Sequence, residues 1–255
     1  MPWDYDYDSD RSEFVPPALP GHAVAGQGDW AVYPACRAAA EFAVALVLLV
    51  LSAPVMVLAA ALVRLTSPGR AFYSQSRLGR GGRVYTIYKI RSMYHDCEKL
   101  SGPRWASKRD SRITPVGRFL RATHLDELPQ LINVLRGEMS LIGPRPERPE
   151  FVPKLARAIP RYEERLRVRP GVTGFAQVQL PADTDLESVR RKLQYDLYYI
   201  DAMNLRLDLC ILLSTALKVV GVPADFMRRL FALPSEEEVE EYHRVATLLP
   251  EPQPA

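Results

Sequence analysis

The hydrophobic pattern of the chain is dominated by an uncharged run of twenty-two residues, from residue 42 to residue 63. As a straight α-helix rising about 1.5 Å per residue, this run is long enough to cross a hydrocarbon core about 30 Å thick. Ser52 and Pro54 lie at its middle, where a proline kinks a helix and a serine can bond a freed carbonyl. The length of the run predicts a helix that spans the membrane, whereas a sharp bend at Pro54 would return both ends to the same side of the membrane. The pattern leaves both interpretations open.

Beyond this run, the pattern predicts a small β-hairpin. Residues 71–77 and 84–93 are rich in β-branched and aromatic side chains and flank a glycine-rich turn. The turn lacks the spacing of a nucleotide-binding P-loop, so we interpret it as a simple connection. Residues 97–113 are polar and basic and predict a mobile loop over a site, with Trp105 as a stacking or interface residue.

Helical spacing of apolar residues returns in the second half of the chain. It covers residues 151–162 and resumes at Thr184, where Thr184 and Glu187 predict a capping box. Residues 205–220 are apolar, but their uncharged part is too short to cross a bilayer, so they predict either an interfacial helix or a core helix. Together these patterns predict a mainly α protein with a small β-hairpin.

Two adjacent carboxylates begin the most informative segment, which reads HLDELPQLINVLRGEMSLIGPRPE from residue 124 to residue 147. Leucines at helical spacing surround Asp126 and Glu127, and Pro129 is tolerated only in a first turn, so a helix is predicted to begin near Asp126. The free N–H groups of that turn would keep Asp126 ionised, ready to attack phosphorus or to hold Mg²⁺ with a substrate phosphate. A cap with a dipole partner is the commoner use of such a pair, and it stays an alternative.

A clamped arginine follows the carboxylates. Arg145 lies between Pro144 and Pro146, and a following proline favours an extended backbone for the arginine. Such a restraint reduces the entropy lost when a guanidinium binds phosphate oxygens. An ordinary proline-rich turn remains the alternative.

Positive charge is concentrated in one part of the chain, although the net charge is only +3. From Arg64 to Arg121 there are fourteen lysines and arginines against three acidic residues. That field suits an anionic membrane surface, an anionic substrate or nucleic acid. The three cysteines (Cys36, Cys97 and Cys210) are far apart and lack CxxC spacing, which argues against a disulfide framework and a zinc site.

Six ordered blocks of the sequence resemble the bacterial sugar transferase family, the monotopic polyprenyl-phosphate hexose-1-phosphate transferases. The blocks are TSPG with FY at 66–73, IYKIRSM at 87–93, DSRITPVGRFLR at 110–121, DELPQ at 126–130, GPRPE at 143–147 and RPGVTG at 169–174. Each block alone is a weak signal, but their order over about residues 36–221 makes the resemblance specific.

The resemblance implies transfer of a sugar 1-phosphate from a UDP-sugar to polyprenyl phosphate, usually undecaprenyl phosphate, with release of UMP and a need for Mg²⁺. It implies that Asp126 is the nucleophile of a covalent phosphosugar intermediate, that Glu127 assists in positioning and proton handling, and that both contact the metal. The phosphate and nucleotide contacts implied in the same way are Lys89, Arg91, Arg118, Arg121 and Arg145, with Asp196 and Asp201 in support.

The resemblance also implies a re-entrant membrane helix with its hinge at Ser52 and Pro54. In the family a serine commonly precedes the proline directly, whereas here Ala53 separates the two. The implied fold is a mainly α monotopic membrane protein with a small β-hairpin, one re-entrant helix and interfacial amphipathic helices. The implied location is the bacterial inner (cytoplasmic) membrane, with the catalytic domain on the cytoplasmic face.

Four parts are predicted along the chain. They are an acidic, proline-containing extension (1–35), the re-entrant helix (36–66), the cytosolic catalytic domain (67–221) and an acidic C-terminal extension (222–255). The glutamate run of the last part predicts either a short helix with Val239, Tyr242 and Val245 on one face, as a homodimer or regulatory contact, or a solvated tail. Composition favours the tail.

The expected partners are a UDP-sugar, polyprenyl phosphate and membrane lipid, with no nucleic acid. A competing hypothesis is a membrane-anchored basic binding module that holds nucleic acid or anionic lipid without catalysis. Such a module needs neither the carboxylate pair nor the clamped arginine.

Overall fold

The computed structural model describes residues 32–97, 110–183 and 185–248. Trp105 and most of the predicted loop over the site lie outside these residues, as do residues 1–31 of the N-terminal extension. The elements are α1 Val32–Thr66, β1 Phe72–Leu78, β2 Val84–Ile90, α2 Pro115–Ala122, α3 Gln130–Leu135, β3 Ser140–Ile142, α4 Val152–Ala158, β4 Gly171–Thr173, α5 Phe175–Gln179, α6 Leu186–Ala202, α7 Leu205–Val219, α8 Ala224–Phe231 and α9 Glu236–Leu248. The prediction of a mainly helical protein with a small hairpin is confirmed.

The predicted hairpin is formed by β1 and β2. The two strands pair antiparallel from Phe72 with Ile90 to Leu78 with Val84. The turn between them contains Gly81 with a φ of +65°, a conformation that glycine adopts without strain. A second sheet, which the sequence pattern did not predict, pairs β3 and β4 in parallel.

Helix α1 runs through Pro54 as one 35-residue helix. Its segment Cys36–Thr66 is long and apolar enough to cross a membrane. The hydroxyl of Ser52 donates to the carbonyl of Leu49 at 3.4 Å, and not to that of Val50, whose i+4 donor Pro54 removes. The proposed hinge therefore lacks the hydrogen bond that the sequence suggested for it.

Both halves of α1 pack against the rest of the protein. Ala45, in the first half, is buried in the main core. Ala59 and Val63, in the second half, pack against Ile90 and Leu120. Between these contacts the helix is exposed, with Leu51 and Val57 each 70% accessible to solvent. The middle of α1 thus presents a large apolar surface, whereas both of its ends contact the same body.

A polar network fixes the start of α1. Arg37 donates through Nη2 to the carbonyl of Ile142 and to the hydroxyl of Tyr199, each at 2.8 Å. Its Nε lies 3.1 Å from Glu41 and 3.2 Å from Asp208. Because β3 ends at Ile142, this network joins α1 to the strand that leads into the Gly143–Pro146 turn.

Helix α6 is the centre of the remaining core. One face, with Val189, Leu193 and Leu197, packs with α4, while Tyr195 and Tyr199 enter the main core. The helix begins with a capping box, but Asp185 and Ser188 form it. The predicted pairing of Thr184 with Glu187 is therefore wrong by one residue, and Thr184 itself lies outside the described residues.

The segment after α7 packs on the main core. Met227, Leu233 and Val239 are buried, and Val239 has no accessible surface. Tyr242 packs edge to face on Tyr198 with ring centroids 5.1 Å apart. The helix predicted for the glutamate run is therefore confirmed as α9, although Val245 of its predicted face is exposed. The expectation of a solvated tail for that run is wrong.

Helix α7 has one buried face and one exposed apolar face. Leu207, Asp208, Ile211 and Ser214 are buried. The opposite face is open, with Leu205, Leu209 and Leu213 exposed. The open face has the composition expected of an interfacial helix.

Glycines allow two close backbone contacts between the sequence blocks. A Cβ on Gly117 would lie 1.9 Å from the carbonyl oxygen of Ser92. One on Gly171 would lie 2.1 Å from the backbone nitrogen of Gly143. Blocks that are far apart in sequence therefore meet through their backbones, which excludes larger residues at these points.

We predict that Gly117→Ala lowers the free energy of unfolding by about 1–3 kcal/mol, because the added methyl group overlaps a backbone carbonyl that cannot rotate away. Gly137→Ala is the control, since a Cβ there meets nothing within 4 Å and adds only the strain of a φ of +72°. Thermal unfolding in detergent measures both. A melting temperature for Gly117→Ala at or above that of the control would contradict the predicted overlap.

Candidate active site

The two carboxylates lie in a 3₁₀ turn, Leu125–Glu127, and not in an α-helix. His124 before the turn is left-handed, with a φ of +56°. The α-helix begins later, at Gln130, with Pro129 as its N-cap. Helical structure therefore begins near Asp126 as predicted, but as a 3₁₀ turn. The α-helix itself starts four residues later, because Pro129 is its N-cap and not a residue of its first turn.

Glu127 is the centre of a buried ion cluster. Its Oε1 lies 2.7 Å from Lys89 Nζ and 2.8 Å from Arg145 Nη2. A weaker contact of 3.5 Å joins Arg145 Nη1 to Oε2. Lys89 comes from β2 and Arg145 from the loop after β3, so the turn, the hairpin and the proline-flanked loop converge on one carboxylate.

The two cations control the protonation of Glu127. Burial alone would raise the pKa of this carboxyl, but Arg145 and Lys89 together outweigh burial and hold the pKa well below its ordinary value. Glu127 in turn raises the pKa of Arg145 above its ordinary value. Burial lowers the pKa of Lys89, and Glu127 opposes this fall. Glu127 and Arg145 are therefore both charged at neutral pH.

Asp126 is buried, at 6% accessible, yet its carboxylate has no hydrogen bond or ion pair with the residues that the structure describes. Burial and the neighbouring Glu127 raise the pKa of Asp126, while Lys89, Arg121 and Arg145 oppose this rise. The pKa of Asp126 is thus set mainly by burial and neighbouring charges, and not by a helix N-terminus as the sequence predicted. Both of its oxygens remain available to a ligand in a positive surrounding.

Arg121 and Arg118 lie on successive turns of α2. Arg121 is half-buried and close enough to lower the pKa of Asp126. Its Nη1 is buried and has no hydrogen-bond partner among the described residues. Arg118 is exposed to solvent.

Arg91 contacts the segment that follows α1. Its guanidinium is buried and donates to the carbonyl of Pro68, and also to the carbonyl and hydroxyl of Ser67, both at 2.9 Å. These groups lie just after the C-terminus of α1. Arg91 thus joins the end of α1 to β2, and the nucleotide contact implied by the resemblance stays a prediction.

The two candidate supporting aspartates differ in position. Asp196 accepts from Arg165 at 2.7 Å, and the same Arg165 nitrogen donates to the carbonyl of Arg145 at 2.9 Å. Burial raises the pKa of Asp196 to about 6, with Arg165 opposing the rise. Asp201 instead contacts Arg167 at 3.3 Å and Tyr242 at 3.4 Å. Asp196 therefore connects to the site, whereas Asp201 ties the 162–167 segment to α9.

Two residues near the site were not identified from the sequence. Arg165 lies outside the six sequence blocks, and its neighbours give it no distinguishing pattern. Asn133, inside an apolar helical run, is fully buried and bonds the carbonyl of Thr86 and the N–H of Tyr88. A buried amide in an apolar run needs such partners, so its position was a signal that α3 is fixed to a neighbouring element, here β2 beside Lys89.

The carboxylate oxygens near the site determine whether Mg²⁺ could bind there. The described residues contain no group of three or more His, Cys, Asp or Glu that could hold a metal. Both oxygens of Glu127 face cations, whereas those of Asp126 are open to a ligand. Mg²⁺ typically takes one or two carboxylates together with substrate phosphates and water, so the site fits a cation held by Asp126 and a phosphate ligand.

Comparison with known proteins agrees with this arrangement. The bacterial sugar transferase family profile matches residues 32–222. A UDP-N-acetylgalactosamine-undecaprenyl-phosphate N-acetylgalactosaminephosphotransferase of Aeromonas hydrophila is 41% identical over 184 residues, 72% of this chain and 43% of the relative.

Other relatives are named UDP-glucose:undecaprenyl-phosphate glucose-1-phosphate transferases. The one from Xanthomonas campestris is 42% identical over 66% of this chain and 35% of its own length. The one from Caulobacter vibrioides is 45% identical over 67% of this chain and 64% of its own length. The chain thus spans less than half of the Aeromonas and Xanthomonas relatives. Since the family profile covers most of the chain and all the site residues named above, the protein belongs to the bacterial sugar transferase family.

Proposed function

We propose that the protein transfers a sugar 1-phosphate from a UDP-sugar to a polyprenyl phosphate, giving a polyprenyl-diphosphate-sugar and UMP, as a first membrane step of surface glycan assembly. The observation that carries the proposal is the carboxylate of Asp126, unpaired among the described residues, beside a Glu127 that is fixed by two cations. The names of the relatives, which refer to undecaprenyl phosphate and to UDP-sugars, support the choice of donor and acceptor.

In the first step of this proposal, the diphosphate of the donor lies against Arg121 and Arg145. An oxygen of Asp126 attacks the phosphorus that carries the sugar, the bond from that phosphorus to the UMP oxygen breaks, and UMP leaves. The positive surrounding of Asp126 lowers the repulsion between its carboxylate and the diphosphate. The product is an aspartyl-phosphosugar.

In the second step, a phosphate oxygen of the polyprenyl phosphate attacks the same phosphorus. The bond to Asp126 breaks, and the carboxylate is restored. Glu127 keeps Lys89 and Arg145 in place through both steps. Mg²⁺, when bound by Asp126 and the phosphate oxygens, would offset the negative charge of the donor.

The membrane part of the proposal is a re-entrant α1 in the inner membrane, with the catalytic domain on the cytoplasmic face. A spanning helix would place its two ends on opposite sides of the bilayer. Here Arg37 near one end and Val63 near the other both contact the same domain. The exposed apolar surface around Leu51 is then the part that enters the leaflet, where lipid-facing side chains must be apolar.

The first prediction concerns Asp126. Asp126→Asn should abolish UMP release, because the amide is a poor nucleophile. Wild-type protein given labelled UDP-sugar without the lipid should retain a labelled phosphosugar on the chain. Asp225→Asn, an exposed position on α8, is the control and should retain full activity. Release of UMP by Asp126→Asn at the wild-type rate would overturn the assignment, and salt-sensitive binding of anions without turnover would favour the binding module.

The second prediction concerns Glu127. Glu127→Gln should lower the free energy of unfolding by about 3–5 kcal/mol at neutral pH, because it leaves the ammonium of Lys89 buried without an anion and removes the partner of the half-exposed Arg145. Glu150→Gln, which removes only an exposed carboxylate paired with Arg148, should change it by less than about 1 kcal/mol.

The contribution of Glu127 to the free energy of unfolding should also depend on pH. Because its folded-state pKa lies below the unfolded value, the stabilisation is complete above a pH of about 4.3 and declines as the pH falls toward the folded-state pKa. Thermal unfolding across this range measures the difference between wild type and Glu127→Gln. A difference that stays constant down to low pH, or is absent at neutral pH, would contradict the prediction.

The third prediction tests the topology of α1. In a chain with Cys97 and Cys210 changed to serine, Cys36 reports the start of α1 and Arg70→Cys its end. A re-entrant helix predicts that both react with a membrane-impermeant maleimide from the same side of sealed vesicles. Asp225→Cys, on the segment that packs against the catalytic domain, reports the side of the vesicle membrane on which that domain lies. Labelling of positions 36 and 70 from opposite sides would show a spanning helix.

A further inference from the structure

We propose that Arg165 is a positioning residue for the transfer and that it acts by holding the backbone of Arg145. This inference rests on the proposed function, in which Arg145 contacts the donor phosphate. It follows from the hydrogen bonds of the loop that carries Arg145.

The loop cannot be ordered through its own N–H groups at two positions, because Pro144 and Pro146 have none. Its carbonyls take over this role. Four consecutive carbonyls each accept a hydrogen bond from another segment: Pro144 from Gly171 N at 2.9 Å, Arg145 from Arg165 Nη2 at 2.9 Å, Pro146 from Arg77 Nη1 at 3.3 Å and Glu147 from Leu78 N at 3.0 Å.

Arg165 is the donor that binds Arg145 itself, and it is held more firmly than Arg77. Its Nη1 donates to the hydroxyl of Tyr162 at 2.7 Å, and its Nη2 pairs with Asp196 at 2.7 Å. Arg165, Tyr162 and Asp196 are all buried. With three acceptors in fixed places, the guanidinium is already ordered before any substrate binds.

A buried ion pair adds little stability compared with apolar residues of similar volume. The pair of Arg165 with Asp196 is therefore poorly explained by stability alone. Its geometric result is specific: the carbonyl of Arg145 is fixed while its side chain reaches Glu127 at 2.8 Å and stays 44% exposed. Displacement of a substrate-positioning group by about 1 Å can reduce the rate about 100-fold.

The test replaces the pair as a unit, with Arg165→Met and Asp196→Leu together, so that neither charge is left buried alone. In an otherwise wild-type chain this double variant should lower kcat/KM for the UDP-sugar about 100-fold. The KM for the UDP-sugar should rise, since a smaller folded fraction would leave KM unchanged. In an Arg145→Ala background the same double variant should cost no further activity, because nothing remains to be positioned.

Arg167→Met is the matched control, because Arg167 lies in the same segment but contacts Glu164 and Asp201 and not the loop. It should change kcat/KM by less than about twofold, as expected for a site outside the network. Arg165→Lys, which keeps a cation near Asp196, should recover part of the lost activity.

Two results would overturn the inference: an equal loss in both backgrounds, which indicates a structural role, or wild-type kinetics in the double variant. A failure of the proposed function appears differently. In that case the wild-type chain itself releases no UMP from a panel of UDP-sugars with undecaprenyl phosphate and Mg²⁺.

Discussion

Burying the carboxylate of Glu127 costs desolvation free energy, which Lys89 and Arg145 offset by direct contact at 2.7 and 2.8 Å. Removing Glu127 would leave the buried ammonium of Lys89 without an anion, and removing either cation would weaken the compensation of the buried carboxylate. The hairpin, the 3₁₀ turn and the proline-flanked loop must therefore stay together for the site to exist. The close backbone contacts at Gly117 and Gly171 bring the same sequence blocks within reach of one another.

The two adjacent carboxylates have opposite environments. Glu127 has its oxygens engaged by cations, and its pKa is lowered. Asp126 has its oxygens open to a ligand, and its pKa is raised. A pair of titratable groups whose pKa values are pushed apart is typical of sites where two acids have different roles. Here the division is between a group that orders the site and a group that can react.

Much of this arrangement could be predicted from the sequence. The hairpin followed from alternation around glycines, and the long apolar helix followed from composition. The carboxylate pair and Arg145 were identifiable from their unusual neighbours. The contacts that join them were not identifiable, because they link residues 18 and 38 positions apart and depend on how the blocks pack.

The differences from the sequence-based expectations have physical causes. Arg91 was grouped with substrate-binding residues by its block, and the structure adds that its buried guanidinium donates to the carbonyls at the end of α1. The segment after residue 222 looked solvated because its glutamates are numerous, although Val239 and Met227 between the charges bury themselves in the core. The charge composition of that segment reflects its exposed face and gives no indication of its buried apolar face.

That packing has a consequence for the limits of the folding unit. The family match ends at residue 222, but the apolar surface of α6 and α7 is closed by Leu233 and Val239 beyond that point. A polypeptide shortened to the matched segment would carry uncovered aromatic side chains, including Tyr198, which contacts Tyr242. Such a surface promotes self-association. The smallest folding unit in which these side chains are covered therefore extends past the matched segment to α9.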